Sequence, residues 1–196
     1  MRSNAIGDSW TYNVTTTLPI IGNGSGTYTS ALSADSYHNQ PTVQSSVTYN
    51  LNYPNGPITL GSYSESTLAG VLVAEISHGL LTAVKSETFH FPSTFTSTLQ
   101  TSGVLTLADG TIVKQHIQVV GTQQVTVPAG SFPCWVVQEK DVRNDGTTDN
   151  YTLYMAPAVG NWVKGDAEID YSDGTQFDWH AQMTSQVTVA QGSTNI

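Results

Sequence analysis

At 196 residues, with 38% hydrophobic and only 11% charged side chains, the chain is long enough to bury a core as one β domain without disulfides or metal. A net charge of −9, from 15 acidic against 6 basic side chains, leaves no basic patch for phosphates and disfavours nucleic acid and anionic membranes as partners. The lone cysteine, Cys134, excludes an internal disulfide framework, and no apolar run reaches the ~18 residues that a spanning helix needs.

Solubility must come from Ser, Thr, Asn and Gln, a balance that suits exported and cell-surface β-proteins. The N-terminal M-R-S-N-A-I-G-D has no hydrophobic h-region, so an exported chain is expected to have its signal or anchor segment outside this sequence. Residues 8–17 (D-S-W-T-Y-N-V-T-T-T) predict a first strand, Gly22, Gly24 and Gly26 a flexible turn, and a second strand follows to about Asp35. A third strand runs from Val43 to Tyr53 with Val47, Tyr49, Leu51 and Tyr53 on one face. Asn55-Gly56 signals a two-residue hairpin loop that would pair Tyr53 with Ile58 and Leu51 with Leu60. Residues 58–68, 70–77 and 80–91 supply further strands, the last two joined at His78-Gly79; Leu80 to Lys85 also fits a short amphipathic helix, and Pro92 ends the element either way.

From Val119 to Lys164 apolar and polar residues alternate with a period of two, as in half-buried strands. Asp-Gly turns stand at 109–110, 145–146 and 173–174. A two-residue loop at 173–174 would set Asp170 against Phe177 and mix faces. A three-residue loop ending in a left-handed glycine instead pairs Ile169 with Phe177, Ala167 with Trp179 and Asp166 with His180. The same geometry pairs Leu105 with Val113, Trp135 with Met155 and Val137 with Leu153. Three like hairpins thus predict one long antiparallel meander whose apolar sides face one way. With no helix to cover that face and no internal repeat, residues 1–190 read as a single domain and 191–196 as a frayed tail.

Chemistry-bearing motifs are sparse. Asp166, Glu168 and Asp170 share one strand face, and Asp178 and His180 join them from the partner strand. This set reads either as a solvated outer face or as a site in which Asp166 orients His180 and a cation offsets Glu168 against Asp178; Asp166, Glu168, Asp178 and His180 are the metal candidates. Asp141, Asn144, Asp145 and Asp149 could also offer oxygens to Ca²⁺, though not with EF-hand spacing. The five histidines form no H-x-H or H-E-x-x-H, no G-x-S-x-G occurs, and Cys134 between Pro133 and Trp135 reads as a small core residue. No cofactor and no enzymatic activity are implied. The inward set Trp135, Val137, Leu153, Met155, Ile169, Phe177 and Trp179 reads as ordinary core or as the lining of an apolar trough. Trp162 falls on the opposite face from Ala167 and Ile169 unless Gly165 carries a bulge.

Gly7-Asp8-Ser9-Trp10-Thr11-Tyr12 resembles the G-D-x-W-x-Y opening of many bacterial exported β-proteins of unknown function. Val125 to Phe132 (V-T-V-P-A-G-S-F) and Tyr154 to Lys164 (Y-M-A-P-A-V-G-N-W-V-K) resemble their V-x-V-P-A-G-T-F and W-Y-A-P-G-V-G-x-V-K signature, with Tyr154-Met155 and Ala158 departing from it. The resemblance implies an extracytoplasmic protein whose fold is similar to the LolA/LolB lipoprotein carriers, an antiparallel sheet curled into a half-barrel. The expected architecture is therefore all-β, a half-barrel meander, with a β-sandwich as the alternative. The expected function is a non-enzymatic module whose trough takes a lipid-like or hydrophobic ligand or a partner's segment at the cell surface. The alternative is a structural or adhesive cell-surface domain acting through strand edges.

Overall fold

The computed structural model describes residues 4–19, 21–67, 72–77, 80–87 and 95–189. Among these residues the regular structure is twelve strands: β1 (Ser9–Leu18), β2 (Gly22–Tyr37), β3 (Gln40–Tyr53), β4 (Gly56–Thr67), β5 (Leu72–Ser77), β6 (Leu80–Glu87), β7 (Gln100–Leu107), β8 (Ile112–Val127), β9 (Gly130–Arg143), β10 (Thr148–Ala156), β11 (Asn161–Asp170) and β12 (Gln176–Val187). Each pairs antiparallel with the next, and β1 pairs with β12 from Ser9↔Val187 to Thr17↔Asp178. The meander is therefore a closed barrel, which corrects both the half-barrel and the sandwich expectation. The physical reason is that the apolar face needs a cover, and with no helix among the described residues the sheet supplies it by curling fully onto itself. The stretch 80–85 is strand, not helix. His78-Gly79, residues 88–92 and the tail 191–196 lie outside the described residues.

Asp8, wholly buried, locks the seam. Its two carboxylate oxygens accept the backbone N–H groups of Ala5 and Val189, each at 2.8 Å, so one side chain ties the entry of β1 to the chain leaving β12. This is what the Gly7-Asp8 opening does structurally. Gly7 sits at φ +94°, where a side chain would be strained.

The three Asp-Gly turns adopt the bulged geometry inferred from register. Gly110, Gly146 and Gly174 have φ of 93°, 94° and 84°, and the Asp before each accepts the N–H of the Thr after it at 2.8–2.9 Å. All the expected pairs across these turns are observed. The Asn55-Gly56 turn differs: the loop is Pro54-Asn55, pairing Tyr53 with Gly56, Leu51 with Ile58 and Tyr49 with Leu60. A loop at 55–56 would have closed on Pro54 and Pro57, neither of which has the N–H that a closing pair exchanges. The shift is by two residues, so the same side chains still face inward.

Gly24 and Gly26 lie within β2, not in a turn. A Cβ on Gly24 would meet the Tyr53 ring at 2.5 Å, and one on Gly165 of β11 would meet the Trp179 ring at 2.8 Å. These glycines are notches that seat aromatic rings in the lumen. β2 continues past Asp35 to a tight turn at His38-Asn39, both at positive φ.

Two bulges redirect side chains. Val120 is the extra residue between Val119↔Val137 and Gly121↔Val136 on β8, and Val163 the extra residue between Lys164↔Tyr154 and Trp162↔Met155 on β11. The second bulge, at Val163 and not Gly165, brings Trp162 into the lumen. Beyond the first, the β8–β9 arm crosses one barrel end: Val125, Val127 and Cys134 are buried with Trp10, Ala156, Val159, Val163 and Met183, and the Ala129 N–H bonds the Met183 carbonyl at 3.0 Å. That end is plugged.

Replacing Asp8 by Ala should lower stability by about 2–4 kcal/mol, because two buried N–H groups lose a charged acceptor. Asp8→Asn should fall between the two. Chemical denaturation checks this, and a change under ~0.5 kcal/mol would show that the seam does not depend on this carboxylate.

Candidate binding site in the barrel lumen

The inward rows follow from the register. One runs Glu139–Tyr151–Ala167–Trp179–Thr16–Gly24 across β9, β10, β11, β12, β1 and β2, and Tyr53 completes it by bonding Thr16 Oγ1 through its hydroxyl at 2.7 Å. The next row toward the Asp-Gly turns runs Asp141–Asp149–Ile169–Phe177. Aromatic rings form a continuous chain along neighbouring inward positions, and Tyr12 and Tyr28 carry it across to Trp162 on the non-adjacent β11. Tyr49 meets Tyr28 edge-on at 4.9 Å, Tyr28 meets Tyr12 at 5.1 Å, Tyr12 stacks on Trp162 at 3.8 Å, and Trp162 meets Trp179 edge-on at 5.4 Å. The Tyr12 hydroxyl also donates to the Trp162 carbonyl at 3.0 Å.

Between this aromatic ladder and the wall formed by β9 and β10 lies a cavity of about 310 Å³. Tyr28 and Tyr49 line it from one side, Glu139, Asp141, Tyr151 and Leu153 from the other, and Trp162, Ala167, Ile169, Phe177 and Trp179 between them. The space is aromatic with two carboxyl groups in its wall.

Glu139 sits where ionisation is disfavoured: burial first, then the charges of Asp141 and Asp149, push its carboxyl up to about 8. Asp149, 1% exposed, accepts Arg143 Nη2 at 2.7 Å through Oδ2. Burial works against the Arg143 charge, yet this bond and the neighbouring anions hold its pKa above the ordinary value. Burial raises Tyr28 to about 12 and lifts Tyr12, Tyr49 and Tyr151 further, so these are neutral phenols. Cys134, buried, is raised to about 11 by burial, in keeping with a core residue.

Of the residues expected to line a trough, Leu153, Ile169, Phe177 and Trp179 meet at this cavity. Val137 and Met155 are instead packed with Phe95, Ile117 and Val119 in a filled layer. Trp135 packs on that layer and borders a separate cleft with Cys134, Pro133 and Pro157. Tyr28, Tyr49 and Glu139 were missed, because strand periodicity says which face a residue shares but not which distant strand it meets.

The metal candidates are all on the outer face. Asp166 Oδ1 lies 2.8 Å from His180 Nδ1 and Asp166 Oδ2 3.4 Å from Lys164 Nζ, in a polar groove that also holds Glu168, Asp178, His116 and Lys140. Among the described residues no three His, Cys, Asp or Glu side chains are grouped to hold a metal ion. Asp141 and Asp149 point into the lumen, apart from the turn residues Asn144 and Asp145 with which they were grouped.

No protein-family model matches the chain, and no curated protein matches it in sequence. Among solved structures it is similar to a β-barrel-like protein of domain of unknown function DUF1849 from Brucella abortus, at 11% identity and TM-score 0.51, over 96% of this chain and 100% of that one. An exported-protein candidate with a YmcC-like fold from Bacteroides fragilis (13% identity, TM-score 0.45, 94% and 97% covered) and the hypothetical lipoprotein YmcC of Escherichia coli (8%, 0.42, 92% and 86%) are similar more distantly. At such identities the likeness concerns the fold alone.

The raised Glu139 carboxyl makes a pH prediction. Protonated in the fold up to about 8 and in the unfolded chain only to about 4.5, it contributes stability that is present below about 4.5 and lost as pH rises through about 8. Melting temperatures between pH 5 and 8 should fall more steeply for the native protein than for Glu139→Gln. Parallel curves would contradict the buried placement.

Proposed function

We propose that this barrel is a non-catalytic binding module whose lumen receives a small ligand with an apolar or aromatic body. The observation that carries the reading is the cavity of about 310 Å³ walled by Tyr28, Tyr49, Trp162, Phe177 and Trp179, at the lower end of the ~300–1,000 Å³ range of ligand sites. One barrel end is plugged by its own β8–β9 arm, so the remaining space is a blind pocket. Inward Leu60, 55% exposed on β4, places solvent on the lumen side of that wall and offers a way in. The outward positions flanking β1 carry Asn13, Thr15, Gln182 and His180, polar where a membrane-spanning barrel presents an apolar band. Extracytoplasmic placement is part of the proposal and rests on the low charge content, with Ser, Thr, Asn and Gln in its place. A structural or adhesive role through strand edges has less support, since the first and last strands satisfy one another.

Titration with the uncharged apolar fluorophore N-phenyl-1-naphthylamine tests the reading. Saturable fluorescence enhancement with quenching of tryptophan emission is expected, weakened at least about tenfold by Ile169→Trp, which fills the cavity while the fold is retained. No saturable binding, or binding indifferent to Ile169→Trp, would overturn it.

A further inference from the structure

The lumen-binding reading leaves the ligand's chemistry open, and the cavity wall carries information about it. Six aromatic side chains (Tyr28, Tyr49, Tyr151, Trp162, Phe177 and Trp179) border the space together with two carboxyl groups, Glu139 and Asp141. A cavity meant only for a neutral lipid chain gains nothing from the Glu139 carboxyl in its wall, because burying that group costs free energy. Lys140 stands on the outer face of β9, Arg143 bonds Asp149, and among the described residues no Lys or Arg lines the cavity.

Buried polar atoms at this place make no hydrogen bond within the protein, Arg143 Nε beside Asp149 among them. Trp179, 7% exposed, lines the cavity with its buried indole N–H unbonded. Asp149, 1% exposed and paired with Asp141 across β9 and β10, leaves Oδ1 without a hydrogen bond. Buried polar atoms in folded proteins are satisfied as a rule, and an unsatisfied donor in a cavity wall points to an acceptor on an occupant.

We infer that the lumen cavity selects a small organic cation, an ammonium group held against the tyrosine and tryptophan faces and beside Glu139 and Asp141, with a hydroxyl or carbonyl oxygen able to accept from the Trp179 indole. Aromatic faces attract such cations through their quadrupoles, most strongly where water is excluded, and quaternary ammonium groups suit them because they need no hydrogen bonds. This rests on the lumen-binding reading above and narrows it from any apolar ligand to one charge class. The groups facing Glu139 are Asp141 and Arg143 on its own strand, Asp149 and Tyr151 on β10, and Tyr28 and Tyr49 across the lumen, while β8 offers only Gln115 and Ile117. A bound cation lowers the cost of ionising Glu139, so binding releases its proton and tightens as pH rises toward 9, by no more than about tenfold per unit.

The test is a displacement assay on the native protein loaded with N-phenyl-1-naphthylamine, using choline and its uncharged isostere 3,3-dimethylbutan-1-ol. The inference expects choline to bind at least about tenfold more tightly than the alcohol, with a preference that grows between pH 6 and 9 and falls to about one in Glu139→Gln/Asp141→Asn. The pH series on the unaltered protein keeps the test decisive if the double variant does not fold. Equal displacement by both compounds, or by neither while the fluorophore binds, would overturn the inference and leave the binding module standing. Absence of fluorophore, choline and alcohol binding together would remove both.

Discussion

Closure of β1 onto β12 is the constraint from which the rest follows. Once the ends of the meander pair, every inward side chain shares one bounded volume, and a large ring on one strand must be matched by a small residue beside it. Gly165 under Trp179 and Gly24 under Tyr53 are that match. Asp8 makes closure specific rather than a loose meeting of edges, since its carboxylate holds N–H groups from both sides of the seam.

Within that volume the two ends behave differently. Toward the chain termini the β8–β9 arm folds across and fills the lumen with Val125, Val127, Val159, Val163 and Met183. Toward the Asp-Gly-Thr turns the filling stops and the inward rows become Tyr151, Glu139, Asp141 and Asp149. A barrel optimised for stability alone would continue its aliphatic packing here. Instead the carboxyl of Glu139, its pKa raised by burial, borders a concave, aromatic-walled space.

Much of the fold was legible from residue pattern because turn chemistry and alternation agree. At Asp173-Gly174 only the three-residue loop keeps Ile169 and Phe177 on one face, and that register is observed. What was not legible depends on long-range closure or on bulges. Alternation says that Tyr49 and Glu139 each face the apolar side; it cannot say that β3 and β9 come to border one cavity. The bulges did leave a trace, a doubled apolar pair at Val119-Val120 and Trp162-Val163 where period two breaks, and reading both would have brought Trp162 inward and turned the arm across the barrel end. Gly22, Gly24 and Gly26 read as a turn because glycine marks turns in general, whereas Gly24 and Gly26 serve close approach inside a strand.

The most direct measurement of the central claim is the electron density of a crystal of the native protein at high resolution. This account predicts β1 hydrogen-bonded to β12 along the seam and solvent or ligand density in the space between Tyr49 and Glu139. An open meander with β1 and β12 apart, or a lumen filled at that place by the chain's own side chains, would contradict it.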